Sequence, residues 1–298
     1  MNHVVCFGEI LWDNFTSGRR PGGAPLNVAL HLHKQGKQVE LISSIGNDEA
    51  GKDLKVYLED NGLAADHIQL HQDLPTGIVE VMLDNDQQAT YNIVQPVAWD
   101  EITYQENYDS LISNANLLVF GSLACRSDVS YTTLLNLLEG AKLSVFDMNL
   151  RPPHFTSERL KYLISRCDIL KINEHELAWL DLEYELNSKD TVSSLHRLSE
   201  ITGIQTICLT LGDKGAIISY EGNIYKHPCF PVKVADTVGA GDAFLAAFLS
   251  GYLEKKPMDK VLELACATGA FVASRSGANP KYTLADIYNS TVFNLTKD

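Results

Sequence analysis

Asp236-Thr237-Val238-Gly239-Ala240-Gly241-Asp242-Ala243-Phe244 carries small residues at 239–241 straight into an apolar run over 243–249. Glycine lets a backbone approach a ligand closely, and the first turn of a helix presents unpaired N–H groups with partial positive charge. Together, Gly239, Ala240 and Gly241 read as an anion hole. Asp242 falls within that first turn, where the negative charge of a ligand would gather. A carboxylate there serves poorly as a passive phosphate binder. It serves well as a base that takes the proton of an attacking hydroxyl while the amides hold a transferred phosphoryl group. On this stretch alone a plainer reading stands beside it, in which Asp242 complements the helix dipole and the glycines only pack. The Gly-x-Gly also invites a dinucleotide-binding reading. But Phe244 takes the place of the third small residue, and only about sixty residues follow, too few to complete such a sheet. That argues against a dehydrogenase.

Before this helix, short apolar runs alternate with amphipathic segments of helix length. Strands are predicted over 4–7, 39–45, 117–120, 143–146, 169–172 and 206–211, and helices over 25–35, 49–61, 129–139, 157–166, 191–202, 240–253 and 257–274. Such repetition predicts an α/β fold of three layers, α/β/α, around a mostly parallel central sheet. Segments 76–83 and 89–94 depart from it: both are extended, and Asp84-Asn85-Asp86-Gln87 joins them with no helix between. They read as a small projecting β lid, about 76–95, inserted in a single domain over 1–298. A second hairpin is predicted from 215–220 and 223–227 around Glu221-Gly222.

The chain has 24 Lys+Arg against 38 Asp+Glu, a formal charge of −14, with 45% hydrophobic and 21% charged residues. The composition is that of a folded protein. The acidic balance argues against nucleic-acid binding, which needs clustered Lys and Arg. No stretch approaches the ~20 apolar residues that cross a bilayer, and the start runs directly into a strand with no signal-like core. The six cysteines form no CxxC pair and lie scattered, as reduced thiols do in a cytoplasmic protein. His67 and His71 lie on a strand-like segment, roughly 13 Å apart at ~3.3 Å per residue, which does not suit a metal. Gly46-Asn47-Asp48-Glu49-Ala50-Gly51-Lys52-Asp53 fits GxxxxGK but lacks the Ser or Thr of a Walker loop, and its acids would repel a triphosphate. It reads as a strand-to-helix turn.

Two further segments change the picture. Gly8-Glu9-Ile10-Leu11-Trp12-Asp13 is followed by Pro21-Gly22-Gly23-Ala24-Pro25-Leu26-Asn27-Val28-Ala29. With 236–242, these resemble the paired signatures of the PfkB, or ribokinase-like, carbohydrate kinases, in the family's order and over about residues 4–285. The resemblance implies a ribokinase-like fold and an ATP-dependent sugar kinase, with Asp242 as base and Gly239, Ala240 and Gly241 as anion hole. It implies that Asp13, Gly22, Gly23 and Asn27 hold sugar hydroxyls, with Tyr91 closing from the lid or packing beneath it. Asn173-Glu174-His175-Glu176 is similar to the family's NxxE element, in which Asn173 and Glu176 orient Mg2+ through water; an N-cap with an acidic first turn is compatible with that role. Thr210, Gly212 and Gly215 resemble the nucleotide loop, and Asn279 the adenine side. Asp236 and Thr237 would bracket a monovalent cation, K+ in many members. A dimer built through the lid is a further expectation.

Within the family, GEILWD, PGGAPLNVA, Ala98-Trp99-Asp100 and Asp147-Met148-Asn149-Leu150-Arg151-Pro152 look most like the fructokinases. Arg151 is then a cation for the transferred group, or a partner of Asp147. Arg19 and Arg20 sit beside the sugar loop; they are surface charges, or they select a carboxylate substrate such as 2-keto-3-deoxygluconate. Ribokinase is a further alternative. A catalytically silent sugar- or nucleotide-binding regulator is the alternative of another class, opposed by the intact Asp242 and Gly-Ala-Gly turn.

Overall fold

Successive side chains of β1 (His3–Phe7) go to opposite layers, as a strand buried on both faces requires: Val4 and Cys6 join one core, Val5 and Phe7 the other. The computed structural model describes residues 2–15, 18–83 and 89–290. Its remaining strands are β2 (Leu11–Phe15), β3 (Gly18–Gly22), β4 (Gln38–Gly46), β5 (Ile68–His71), β6 (Gly77–Leu83), β7 (Ala89–Ile93), β8 (Leu117–Gly121), β9 (Ser144–Asp147), β10 (Ile169–Asn173), β11 (Thr206–Thr210), β12 (Ala216–Tyr220) and β13 (Asn223–His227). The α-helices are α1 (Ala24–Lys34), α2 (Glu49–Asp60), α3 (Asn107–Asn114), α4 (Asp128–Gly140), α5 (Ser157–Ser165), α6 (Glu174–Glu183), α7 (Thr191–Thr202), α8 (Ala240–Leu253), α9 (Met258–Ala273) and α10 (Leu284–Asn289).

The main sheet runs β13-β12-β11-β10-β9-β8-β1-β4-β5, with every pairing parallel except β11–β12 and β12–β13. Helices α1, α2, α8 and α9 cover one face, and α3 to α7 the other. This is the expected three-layer arrangement. The chain leaves β1 for β4 and β5 on one side, then returns to β8 on the other. The carboxyl ends of β1 and β8 therefore flank a topological switch point, where open α/β sheets leave a crevice.

The lid exceeds the expected hairpin. Its sheet has the order β3-β2-β6-β7, and the antiparallel pair β2–β3 lies within a segment that shows no hydrophobic alternation in the sequence. β2 pairs in parallel with β6, placing Asp13 opposite Val79. The connecting residues 84–88, which include the expected turn, lie outside the described residues, as do Thr16 and Ser17 of the segment after Asp13. Past β7, the returning chain is anchored by Arg126. Its guanidinium donates to both oxygens of Asp100 at 2.6 and 2.8 Å and to the Val94 carbonyl at 2.8 Å, and stacks 4.0 Å from the Trp99 ring centroid. Both charged side chains are buried. Arg126→Ala would leave Asp100 buried without its cation, so we expect a loss of about 3–5 kcal/mol in denaturant unfolding; a loss below ~1 kcal/mol would show that the pair does not anchor the returning chain.

Asp48 ends the Walker resemblance. Its side chain caps α2 by accepting from Gly51 N at 2.7 Å and also accepts from Thr76 N and Oγ1 at 2.8 and 2.6 Å. The segment is the strand-to-helix turn read from its acids. Among the described residues, no helix is long and apolar enough to cross a membrane.

Candidate active site

A cavity of about 420 Å3 opens at the switch point, between the carboxyl ends of the strands and the lid. Asp13, Gly23, Asn27, Arg151, Thr237, Gly239, Gly241 and Asp242 all line it, so distant segments of the sequence meet there. Asp13 comes from lid strand β2. Burial pushes its carboxyl up to about 6, against the pull of Arg151. The lid crowds this carboxyl: a Cβ on Gly22 would lie 2.3 Å from Asp13 Oδ2, so a side chain there would displace the carboxylate from its present position.

Asn27, in the first turn of α1, is buried and links two other expected residues. Its Nδ2 donates to Asp242 Oδ2 at 2.8 Å, and its Oδ1 accepts from Asn279 Nδ2 at 2.6 Å. The side chain of Asn279, expected toward adenine, thus hydrogen-bonds a residue of the sugar loop. α1 and the loop bearing Asn279 are also joined by buried His31. Its Nε2 donates to the Ala278 carbonyl at 2.9 Å, leaving Nδ1 to accept from the Tyr282 hydroxyl at 2.8 Å.

Gly239 caps α8 in the left-handed region, φ 77°, with backbone of Ala278 packed where a Cβ would be. Asp236 shapes the turn: Oδ1 accepts from Val238 N and Oδ2 from Gly277 N, both at 3.1 Å. The Asp242 carboxyl lines the cavity and is held by Asn27. Burial, then repulsion from Asp147, pushes it up to about 6, while Lys171, Asn27 and Arg151 oppose the rise.

Two cavity residues escaped the sequence reading. Lys171 on β10 donates to Asp147 Oδ1 at 2.9 Å, and both side chains are buried. Burial alone would lower its pKa, but Asp147, Glu176 and Asp242 outweigh burial and raise it, so the ammonium is permanent at neutral pH. It lies beside the anion hole, since a Cβ on Gly241 would be 3.3 Å from Nζ. The signal was a lysine inside an apolar parallel strand, which demands a buried partner. Because Asp147 is engaged by Lys171, the sequence's alternative of an Arg151–Asp147 pair is not what forms. Arg151 donates to the Leu150 carbonyl at 3.2 Å and reaches the cavity. Glu9, just after β1, is the second such residue.

Asn173, Glu176, Thr210, Gly212 and Gly215, also expected at the site, are not among the residues that line this cavity. Asn173 and Glu176 form a capping box on α6, and Glu176 accepts from Asn173 N at 2.8 Å and Leu150 N at 2.9 Å. Thr210 ends β11, next to β10, and Gly212 and Gly215 form the tight turn after it. Arg19 pairs with Asp53 and stacks on Trp12, while Arg20 reaches Asp236 at 3.3 Å and stacks on Phe15. Neither arginine lines the cavity. The backbone of Tyr91 pairs with Val81 in the lid, and its side chain lies outside the described residues.

Comparison with known proteins agrees with this geometry. The model of the pfkB family carbohydrate kinases matches residues 2–284. A fructokinase-2 of Solanum habrochaites is 28% identical over 93% of this chain and 92% of its own. A putative sugar kinase of Pyrococcus horikoshii is 30% identical, covering 87% of this chain and 83% of its own. Among solved structures, a fructokinase with bound ATP from Xylella fastidiosa superposes with a TM-score of 0.86 at 22% identity, covering 99% of both chains.

Proposed function

This chain belongs to the pfkB family of carbohydrate kinases, and from that premise we propose that it transfers the γ-phosphoryl group of ATP to the 6-hydroxyl of D-fructose. The observation that carries the reading is the Asn279–Asn27–Asp242 hydrogen-bond chain, which aims a carboxylate into a sugar-sized cavity at the glycine-lined start of α8. Asp242 takes the proton of the attacking hydroxyl. The amides of 239–241, with Lys171 beside them and Arg151 at the rim, hold the negative charge of the group in transfer. Asp13 and Gly23 hold the sugar, and the lid excludes the water that would otherwise hydrolyse ATP. The nucleotide lies toward Thr210, Gly212 and Gly215, at the end of the neighbouring strand.

The acidic groups beyond the NxxE turn suit a hydrated cation. Asp147 Oδ2 is buried with no partner among the described residues, and Glu176 lies close enough to raise the Lys171 pKa together with it. Asn173, Glu176 and Asp147 would hold Mg2+ through water, and Mg2+ would neutralise the ATP phosphates. Asp236 and Thr237 shape the loop on which K+ would rest. We also propose a dimer formed through the lid edges, which a monomeric mass in sedimentation would refute.

Choice of sugar follows from charge. Three carboxyls, those of Glu9, Asp13 and Asp242, line the cavity; its two cations, Lys171 and Arg151, are assigned to the group in transfer, and Arg19 and Arg20, which would favour a sugar acid, are engaged outside it. A neutral ketose fits this lining better than 2-keto-3-deoxygluconate. The similarity to the Solanum fructokinase points the same way. A coupled ADP-release screen over fructose, ribose, 2-keto-3-deoxygluconate and adenosine, with and without K+, should give fructose a kcat/KM at least ~10-fold above the others. A preference for the sugar acid would overturn the substrate, and no turnover on any would overturn the kinase reading.

A further inference from the structure

Glu9 has no part in the chemistry above, yet its placement is specific. Oε1 accepts from the amide of Ala24, the first residue of α1, at 3.3 Å. Oε2 is buried and has no hydrogen-bond partner among the described residues. The residue is 2% exposed and lines the same cavity as Asp13, Asn27 and Asp242. A buried carboxyl oxygen without a donor is costly, and native proteins keep few of them. The neighbouring backbone fixes the group in place: Gly23 adopts φ 111°, and a Cβ there would fall 2.3 Å from the Glu9 carbonyl oxygen. Burial pushes the carboxyl up to about 7, against the backbone amides of Glu9 and Ala24 and then the charge of Arg151, which favour the ionised form. What is missing at Oε2 is a donor, and the cavity is where one would enter.

We propose that Glu9 touches the substrate: its Oε2 accepts a hydrogen bond from one hydroxyl of the bound sugar, making that hydroxyl a requirement for tight binding. The assignment rests on the carbohydrate-kinase reading and adds a specificity residue to it. A site built around a donor rejects analogues that lack it, because its own acceptor then stays unpaired. The competing explanation is that Glu9 only braces the start of α1 through Oε1, in which case no sugar hydroxyl would be singled out.

The test is a cycle between Glu9→Gln and the monodeoxy derivatives of D-fructose, with KM and kcat measured for each pair. Glu9→Gln keeps the shape and the oxygen that accepts from Ala24 but turns Oε2 into a donor. KM for fructose should rise roughly 10- to 100-fold, with kcat changed by less than about 3-fold. One deoxy sugar should show a similarly raised KM with the unmutated enzyme and little further rise with the variant. An unchanged KM for fructose, or a variant penalty that multiplies fully on every deoxy sugar, would overturn the assignment. Should Glu9→Gln not fold, Glu9→Asp, which withdraws the acceptor by one methylene, is put through the same cycle with the same two outcomes. The readings also separate. An enzyme with no turnover on any sugar refutes the kinase proposal, whereas turnover of fructose with a KM indifferent to Glu9→Gln refutes only this assignment. If another sugar is preferred, its own deoxy series takes the place of fructose.

Discussion

Asp242→Asn should lower kcat by about 10²- to 10⁴-fold, the usual contribution of a positioned base, while KM for sugar and for ATP moves by no more than a few-fold. The substitution is close to isosteric, and its amide oxygen can still accept from Asn27 Nδ2, which now donates at 2.8 Å. The start of α8 and the anion hole should therefore stay in place. What is lost is the capacity to take a proton. The pH dependence checks the same point independently. The base must be ionised, and burial holds its pKa near 6. Activity of the unmutated enzyme should thus rise about tenfold per pH unit below 6 and level off above it. In the variant this limb should vanish. A limb that persists at the same pH would transfer the titration to Asp13, whose carboxyl is also pushed up to about 6. Undiminished turnover would remove the base assignment altogether.

Much of this site can be read from the chain because its parts carry their own local signals. Gly239 and Gly241 mark a close backbone approach, Asp242 sits at a helix start, and Asp13 and Asn27 flank a Pro-Gly-Gly turn. The main sheet is equally legible, since β1, β4, β8, β9, β10 and β11 are short apolar runs between amphipathic helices. The lid was only half visible. β6 and β7 show extended patterning, but β2 and β3 are rich in Asp, Asn, Arg and Gly, and they become strands because β6 and each other supply the pairing. Glu9 and Lys171 were hidden for a different reason. Each lies at or within an apolar strand segment, and its significance comes from partners far away in sequence: Ala24 for one, Asp147 for the other. Spacing along the chain cannot report such contacts. The Asn27–Asn279 bond, across 252 positions, is of the same kind.

Lys171 offers the second large effect, and a way to separate chemistry from packing. Lys171→Met keeps the length of the side chain and removes a charge that lies beside Gly241. Loss of a fixed cation at the developing charge should lower kcat by about 10²- to 10³-fold. Removing it also strips an attractive neighbour from Asp242, so the acidic limb should move above 6. The single variant also leaves Asp147 buried and unpaired, which should cost about 3–5 kcal/mol of stability; a low rate alone would therefore not distinguish the two roles. Adding Asp147→Asn does. The double variant carries neither buried charge, so stability should largely return. The limb should also fall back toward 6, because the repulsion of Asp147 on Asp242 disappears with the attraction of Lys171. If kcat at saturating Mg2+ stays depressed while stability and limb recover, the ammonium acts on the phosphoryl group itself. If turnover recovers with stability, Lys171 is only the counterion that lets Asp147 be buried, and the anion hole works through the amides of 239–241 without it.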